Sequence, residues 1–206
     1  MDLIGVIEAA KELFVLDYRE MLDMAVLQGV AIAGSERCCI IIENKKGELV
    51  IKAGFPKSGH GIGEKIDSDE RGEKLMCKII SDGGMIWIDR PGQDQRTRYL
   101  RSLAEQYSIS AVVFIPLFCN GEPLGLMALD FTVDQEKFLH SNLNKIKIFS
   151  EFVATAMSVL YRQREHEEQI LRQSRLSLIG QNATGIVHNI RNAATTIGLT
   201  MNRLDK

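Results

Sequence analysis

From Asp134 to the end of the sequence there is no proline, and the last part of that stretch keeps a seven-residue repeat. Leu176, Ala183, Ile190, Ile197 and Leu204 fall on one heptad position, and Ile179, Ile186 and Ala193 fall on the other. Such a repeat commits a helix to pairing with another helix along a narrow apolar seam. Left alone, it would hold a long hydrophobic stripe in water, so a homodimer is expected. In this frame His188 lies two residues before a seam position and points away from the seam. A second set, Ile146, Phe149, Val153, Ala156 and Leu160, gives an earlier seam. It turns polar at Gln163, Glu167 and Ser174, then resumes two residues out of phase at Leu176. A change of register rewinds a coiled coil locally, which makes this shift the expected signalling junction, unless the charged stretch is only an exposed linker.

Ahead of the long helix the pattern alternates between helix and strand. Leu3–Leu16 and Asp17–Ala33 carry apolar residues at helical spacing, with a break near Leu16-Asp17. Cys38–Glu43 and Leu49–Phe55 read as a hairpin around Asn44–Gly47. A helix is expected over 69–81, a strand over 85–88 and a helix over 99–107. A second hairpin pairs 110–118 with 124–131. Pro116 suggests that the first of its strands is an edge or ends there. Hairpins at both ends of this order predict one antiparallel sheet with helices on its faces. The Gly-rich loop from Pro56 to Gly63 lacks the spacing of a phosphate cradle, and it reads as a mobile loop.

The bulk numbers exclude several classes. With 25 basic and 27 acidic residues the net charge is −2, which offers no field for nucleic acid or an anionic membrane. Apolar runs such as Ala111–Ile115 are far too short to span a bilayer. No basic segment or cleavage site follows Met1, so a cytoplasmic protein is expected. Cys38, Cys39, Cys77 and Cys119 have no metal-ligand spacing and are expected to be reduced thiols. His60 stands alone, so no metal site is expected.

Several phrases carry a resemblance. Ile115-Pro116-Leu117, then Asn120-Gly121-Glu122-Pro123-Leu124-Gly125 through Leu129, then Phe131-Thr132-Val133-Asp134, resemble the signature of GAF domains, in the right order over roughly residues 3–160. The resemblance implies an α+β fold: a GAF-like central antiparallel β-sheet flanked by helices, followed here by a long C-terminal coiled-coil helix. GAF domains bind varied small ligands. No Cys-His pair marks a bilin attachment site and the cyclic-nucleotide pattern is not matched, so the ligand is left open. Topology alone nominates Trp87, Arg96 and Arg98 as ligand-binding residues around the 89–98 loop. For Trp87 the competing reading is a core aromatic. For the arginines, with Arg101, it is a solvated helix face.

The stretch from Ile179 to Asn192 resembles the first helix of the dimerisation and phosphotransfer domain of bacterial sensor histidine kinases. That resemblance implies His188 as phosphoacceptor, with Asn189 beside it and Asn192 one turn on, where the family orients water for dephosphorylation. The sequence departs twice from the family pattern. Asn189 replaces the usual acid, and Ala193 replaces the usual proline. The implied protein is the sensory and dimerisation part of a cytoplasmic two-component kinase, organised as a GAF-like domain over 1–160, a linker over 161–175 and a truncated phosphotransfer helix over 176–206. No ATP-binding domain is present in the sequence, so ATP and magnesium belong to a longer parent protein, and a response-regulator receiver domain is the expected partner. The alternatives are a non-catalytic GAF ligand-binding and dimerisation module, or a histidine phosphotransfer protein.

Overall fold

The computed structural model describes residues 1–44, 46–58, 62–66, 70–132 and 136–204; for 70–71, 136–140 and 177–204 it describes the backbone alone. The chain divides into two units, Met1–Tyr161 and Arg162–Lys206.

Two helices open the first unit, α1 (Leu3–Glu12) and α2 (Tyr18–Ala33), separated by a tight turn over Leu13–Val15. The break expected at Leu16-Asp17 has a clear cause. Asp17 caps α2, accepting from the backbone N–H groups of Arg19 and Glu20, while Glu20 reaches back to the Asp17 N–H. This reciprocal arrangement satisfies donors that the first turn of a helix leaves open. Gly34 ends α2 in the left-handed conformation at φ 70°, which a side chain would disfavour.

Five strands follow: β1 (Arg37–Glu43), β2 (Leu49–Phe55), β3 (Ile86–Asp89), β4 (Ala111–Cys119) and β5 (Glu122–Phe131). They form one antiparallel sheet in the order β2-β1-β5-β4-β3. The helix α3 (Glu70–Asp82) leads into β3, and α4 (Arg101–Gln106) leads into β4. The β4–β5 hairpin turns on Asn120 and Gly121, at φ 54° and 80°, a pair of residue types that tolerates two successive positive φ values. Gly125 lets β5 lie close against β1: a Cβ there would meet the Ile41 carbonyl oxygen at 2.2 Å.

The expectation that Pro116 marks an edge strand or a strand end is corrected. β4 is an inner strand that continues to Cys119, paired with both β3 and β5. Its pairing with β3 stops at Phe114, however, so Pro116 lies where the β3 side is already open and a missing N–H is tolerated.

Both faces of the sheet are covered, which explains why β4 reads as a continuous apolar run rather than an alternating one. On the near face, Ile40, Val113, Ile115, Met127, Leu129 and Phe131 pack with Val6, Leu13, Met21 and Leu22 of the N-terminal helices and with Ile146, Phe149, Val153 and Ala156. These last four belong to α5 (Glu136–Leu204). The first seam expected for a coiled coil is therefore occupied within the domain: its residues are core, with Leu160 packed against them. A core-facing stripe and a dimer seam share the same spacing over four turns, so periodicity does not separate them. On the far face, Ile41, Val112, Phe114, Leu126 and Ala128 meet Leu75, Met76 and Ile79 of α3.

In the second unit the helix continues to Leu204. Side chains 162–176 are all exposed, with Arg164–Glu168 and Gln163–Glu167 pairs one turn apart. The seam from 177 onward lies outside the described side chains. No described helix is long and apolar enough to cross a membrane.

Candidate functional site

The far face holds a cavity of about 270 Å³. Its floor is the sheet: Cys39 and Ile41 from β1, Ile51 from β2, Val112 and Phe114 from β4, and Ala128 and Asp130 from β5. Met76 of α3, Tyr99 and Leu100 of the turn before α4, and Leu103 of α4 close it from above, and Glu64, Lys65 and Ile66 form the rim. The rim segment is held to β2 by backbone bonds, Ile51 N–H to Glu64 O at 3.2 Å and Ile66 N–H to Leu49 O at 3.0 Å. An apolar concavity with few polar groups on a sheet scaffold is the usual form of a small-molecule site.

Two floor residues carry the chemistry. Asp130 is the register partner of Arg37 across β1 and β5, and Arg37 Nε donates to Asp130 Oδ2 at 3.3 Å. The Arg37 guanidinium lies over the Tyr107 ring, 3.9 Å from its centre, in a cation–π contact. Burial raises the Asp130 carboxyl to about 6, against the opposing pull of Arg37. Cys39 is pushed up to about 12, first by burial and then by the Asp130 charge. It stays a thiol at neutral pH and is a poor nucleophile or metal ligand. Among the described residues no cluster of three or more potential metal ligands occurs.

The residues nominated from topology do not line this cavity. Trp87 packs on the near-face core, stacked on Phe131 with ring centres 6.3 Å apart, and its indole N–H donates to Asp89. Arg96 is folded onto Asp94, with hydrogen bonds of 2.7 and 3.0 Å, and Arg98 is an exposed residue of the turn before α4. Thr97 Oγ1 donates to the Pro91 carbonyl at 2.8 Å and closes the 91–97 loop on itself. No residue of the 89–98 loop lines the cavity; the lining begins with the residues that follow it, Tyr99 and Leu100. Asp130 and Arg37 were not singled out from the sequence. The available signal was a charged residue at the end of each of two apolar strands, LGLMALDF and RCCIII.

The backbone at His188, Asn189 and Asn192 is helical, and their side chains lie outside the described residues, as does His60.

Comparison with known proteins places this architecture. The chain is similar in structure to a domain described as that of a two-component sensor histidine kinase protein from Sinorhizobium meliloti 1021, at TM-score 0.56 and 13% identity, covering 72% of this chain and 95% of that one. It is similar to residues 122 to 287 of a methyl-accepting chemotaxis protein, at TM-score 0.58 and 17% identity, covering 74% and 96%. It is also similar to the phycocyanobilin-bound GAF domain of a cyanobacterial phytochrome, at TM-score 0.60 and 14% identity, covering 79% and 97%. No curated protein matches the sequence. At these identities the neighbours share the fold. The GAF domain family itself matches residues 17–157, more than half of the sequence, and the chain belongs to that family.

Proposed function

We propose that the chain is the sensory and dimerisation portion of a two-component sensor histidine kinase, with a signal received in the far-face cavity controlling phosphorylation of His188. The observation that carries this reading is one of connection. The helix that closes the core of a GAF domain runs on without a break to Leu204, through the stretch that resembles a phosphoacceptor helix. Several of the structural neighbours come from signalling proteins, among them a sensor kinase protein and a chemotaxis protein.

In this mechanism the heptads from Leu176 to Leu204 pair with a second copy of the chain. A ligand in the cavity shifts the balance between two helical phases at the register change. That shift alters access of an ATP- and magnesium-loaded catalytic domain, supplied by the parent protein, to His188. A neutral imidazole nitrogen attacks the γ-phosphoryl group, ADP leaves, and the phosphoryl group passes to an aspartate of a receiver domain. Asn192 lies one helical turn from His188, in the family's position for orienting the water of dephosphorylation, and Asn189 takes the place of the acid. On this reading the protein acts in the cytoplasm, where ATP is available.

A second reading is favoured by Asn189 and Ala193, which replace the acid and the proline of the kinase pattern: a GAF module that binds a ligand and dimerises without catalysis. γ-Labelled ATP separates the two. On the kinase reading, the parent protein takes up acid-labile label that His188→Gln abolishes. Absence of label in both proteins supports the non-catalytic module.

A further inference from the structure

On the reading of the far-face cavity as the sensory site, its lining constrains the chemistry of the occupant as well as the size. Ten of its lining residues are apolar, aromatic or thiol side chains, Tyr99 brings a hydroxyl that is directed to Met76 Sδ at 4.0 Å, and the charged ones are Glu64, Lys65 and Asp130. Glu64 and Lys65 are exposed rim residues, and Lys65 is drawn toward Glu73 of α3 at 3.5 Å. Asp130 is different, since it belongs to the floor and its side chain is only 13% exposed.

Among the described residues, the one hydrogen bond that the Asp130 side chain accepts comes from Arg37 and goes to Oδ2. A carboxylate has acceptor sites on both oxygens, and a buried one that accepts a single bond is incompletely solvated. Its raised pKa states the same deficit, with loss of water outweighing the nearby guanidinium. An anionic ligand would add a second negative charge to this floor. A cationic ligand would be brought toward Arg37, which already balances the carboxylate. An uncharged donor completes the carboxylate's hydrogen bonding without burying further charge, and the apolar walls accommodate the rest of the molecule.

We propose that the cavity takes a small, largely apolar ligand carrying one uncharged N–H or O–H, which donates to Asp130. Among the described residues, the titratable and charged groups around Asp130 and the cavity are Arg37, Cys38 and Cys39 from β1, Tyr99 from the turn before α4, Tyr107 against Arg37, and Glu64 and Lys65 from the rim. Cys39 stays protonated well beyond neutral pH. A donor prefers the ionised carboxylate, so its binding weakens as the pH falls through about 6 and Asp130 takes up a proton.

The test uses a matched pair of probes on the full chain, 5-fluoroindole and 5-fluoro-1-methylindole, titrated by fluorine NMR. They have the same aromatic body, and the second lacks the donor. At pH 8 the natural chain is expected to bind 5-fluoroindole about tenfold more tightly, a factor typical of one charge-assisted hydrogen bond. The preference is expected to shrink to about threefold or less in Asp130→Asn, and in the natural chain below pH 5. Ala128→Met, which fills the floor, is expected to weaken both probes, with circular dichroism checking that each variant is folded. Equal affinity for the two probes, or a preference that survives in folded Asp130→Asn, overturns the proposal. If the probes bind equally and Ala128→Met abolishes binding, the donor proposal falls and the sensory reading stands. If neither probe binds the natural chain, the sensory reading of the cavity falls with it.

Discussion

The two faces of the sheet are built from the same strands and do different work. The near face is closed by α1, α2 and the first part of α5, and Met21, Phe131 and Phe149 there have no exposed surface. The far face is closed by α3, the short helix α4 and irregular segments, and it forms a cavity of about 270 Å³ beside a buried ion pair. Protein interiors are packed close to crystal density, so side chains that line a cavity make fewer contacts with other side chains than those of the near-face core. One face therefore holds the fold, and the other holds room for something else. The near face also takes the first part of α5, whose Ile146, Phe149, Val153 and Ala156 belong to its core.

Side-chain truncation on each face sharpens the contrast. Phe149→Ala removes a fully buried ring from the near-face core and is expected to cost about 3–5 kcal/mol of unfolding free energy. Leu103→Ala enlarges a space that already exists and truncates a half-buried side chain, so about 1 kcal/mol is expected. Urea denaturation of both variants measures the difference, and equal costs would break the comparison.

A smaller effect comes from Asp130. Its folded pKa, about 6, lies above the value near 3.9 expected for an unfolded aspartate. The proton is held more tightly in the folded state, so this group's stabilisation is fully present below pH 4 and lost as the pH rises through 6. The loss amounts to about 3 kcal/mol. Subtracting the pH profile of Asp130→Asn from that of the natural chain isolates the term. The difference is expected to fall between pH 4 and 7, and a flat difference would mean that the carboxylate is not buried at the cavity floor.

How far the sequence foretold this division depends on how local each signal was. The break before α2 was legible because Asp17 and Glu20 cap the helix from within four residues. The hairpin at Asn120-Gly121 was legible for the same reason. Ile146, Phe149, Val153 and Ala156 suit a dimer seam as well as a core, because their spacing fits either partner, and only the sheet decides between them. The cavity could not be read at all. Its walls come from four strands, two helices and the 64–66 rim, and Arg37 meets Asp130 across 93 positions of sequence. Topology nominates Trp87 for the site, and its place on the near face follows instead from strand parity: Trp87 pairs with Val113, a near-face residue.

The division between the faces is tested most directly by native-state amide hydrogen exchange, followed peptide by peptide in the full chain. The account predicts that α3 and residues 98–106, which cover the cavity, exchange through an opening of lower free energy than α2 and the inner strands β4 and β5. Equal protection across α2, α3 and the sheet would contradict it, because both faces would then open only when the whole domain unfolds.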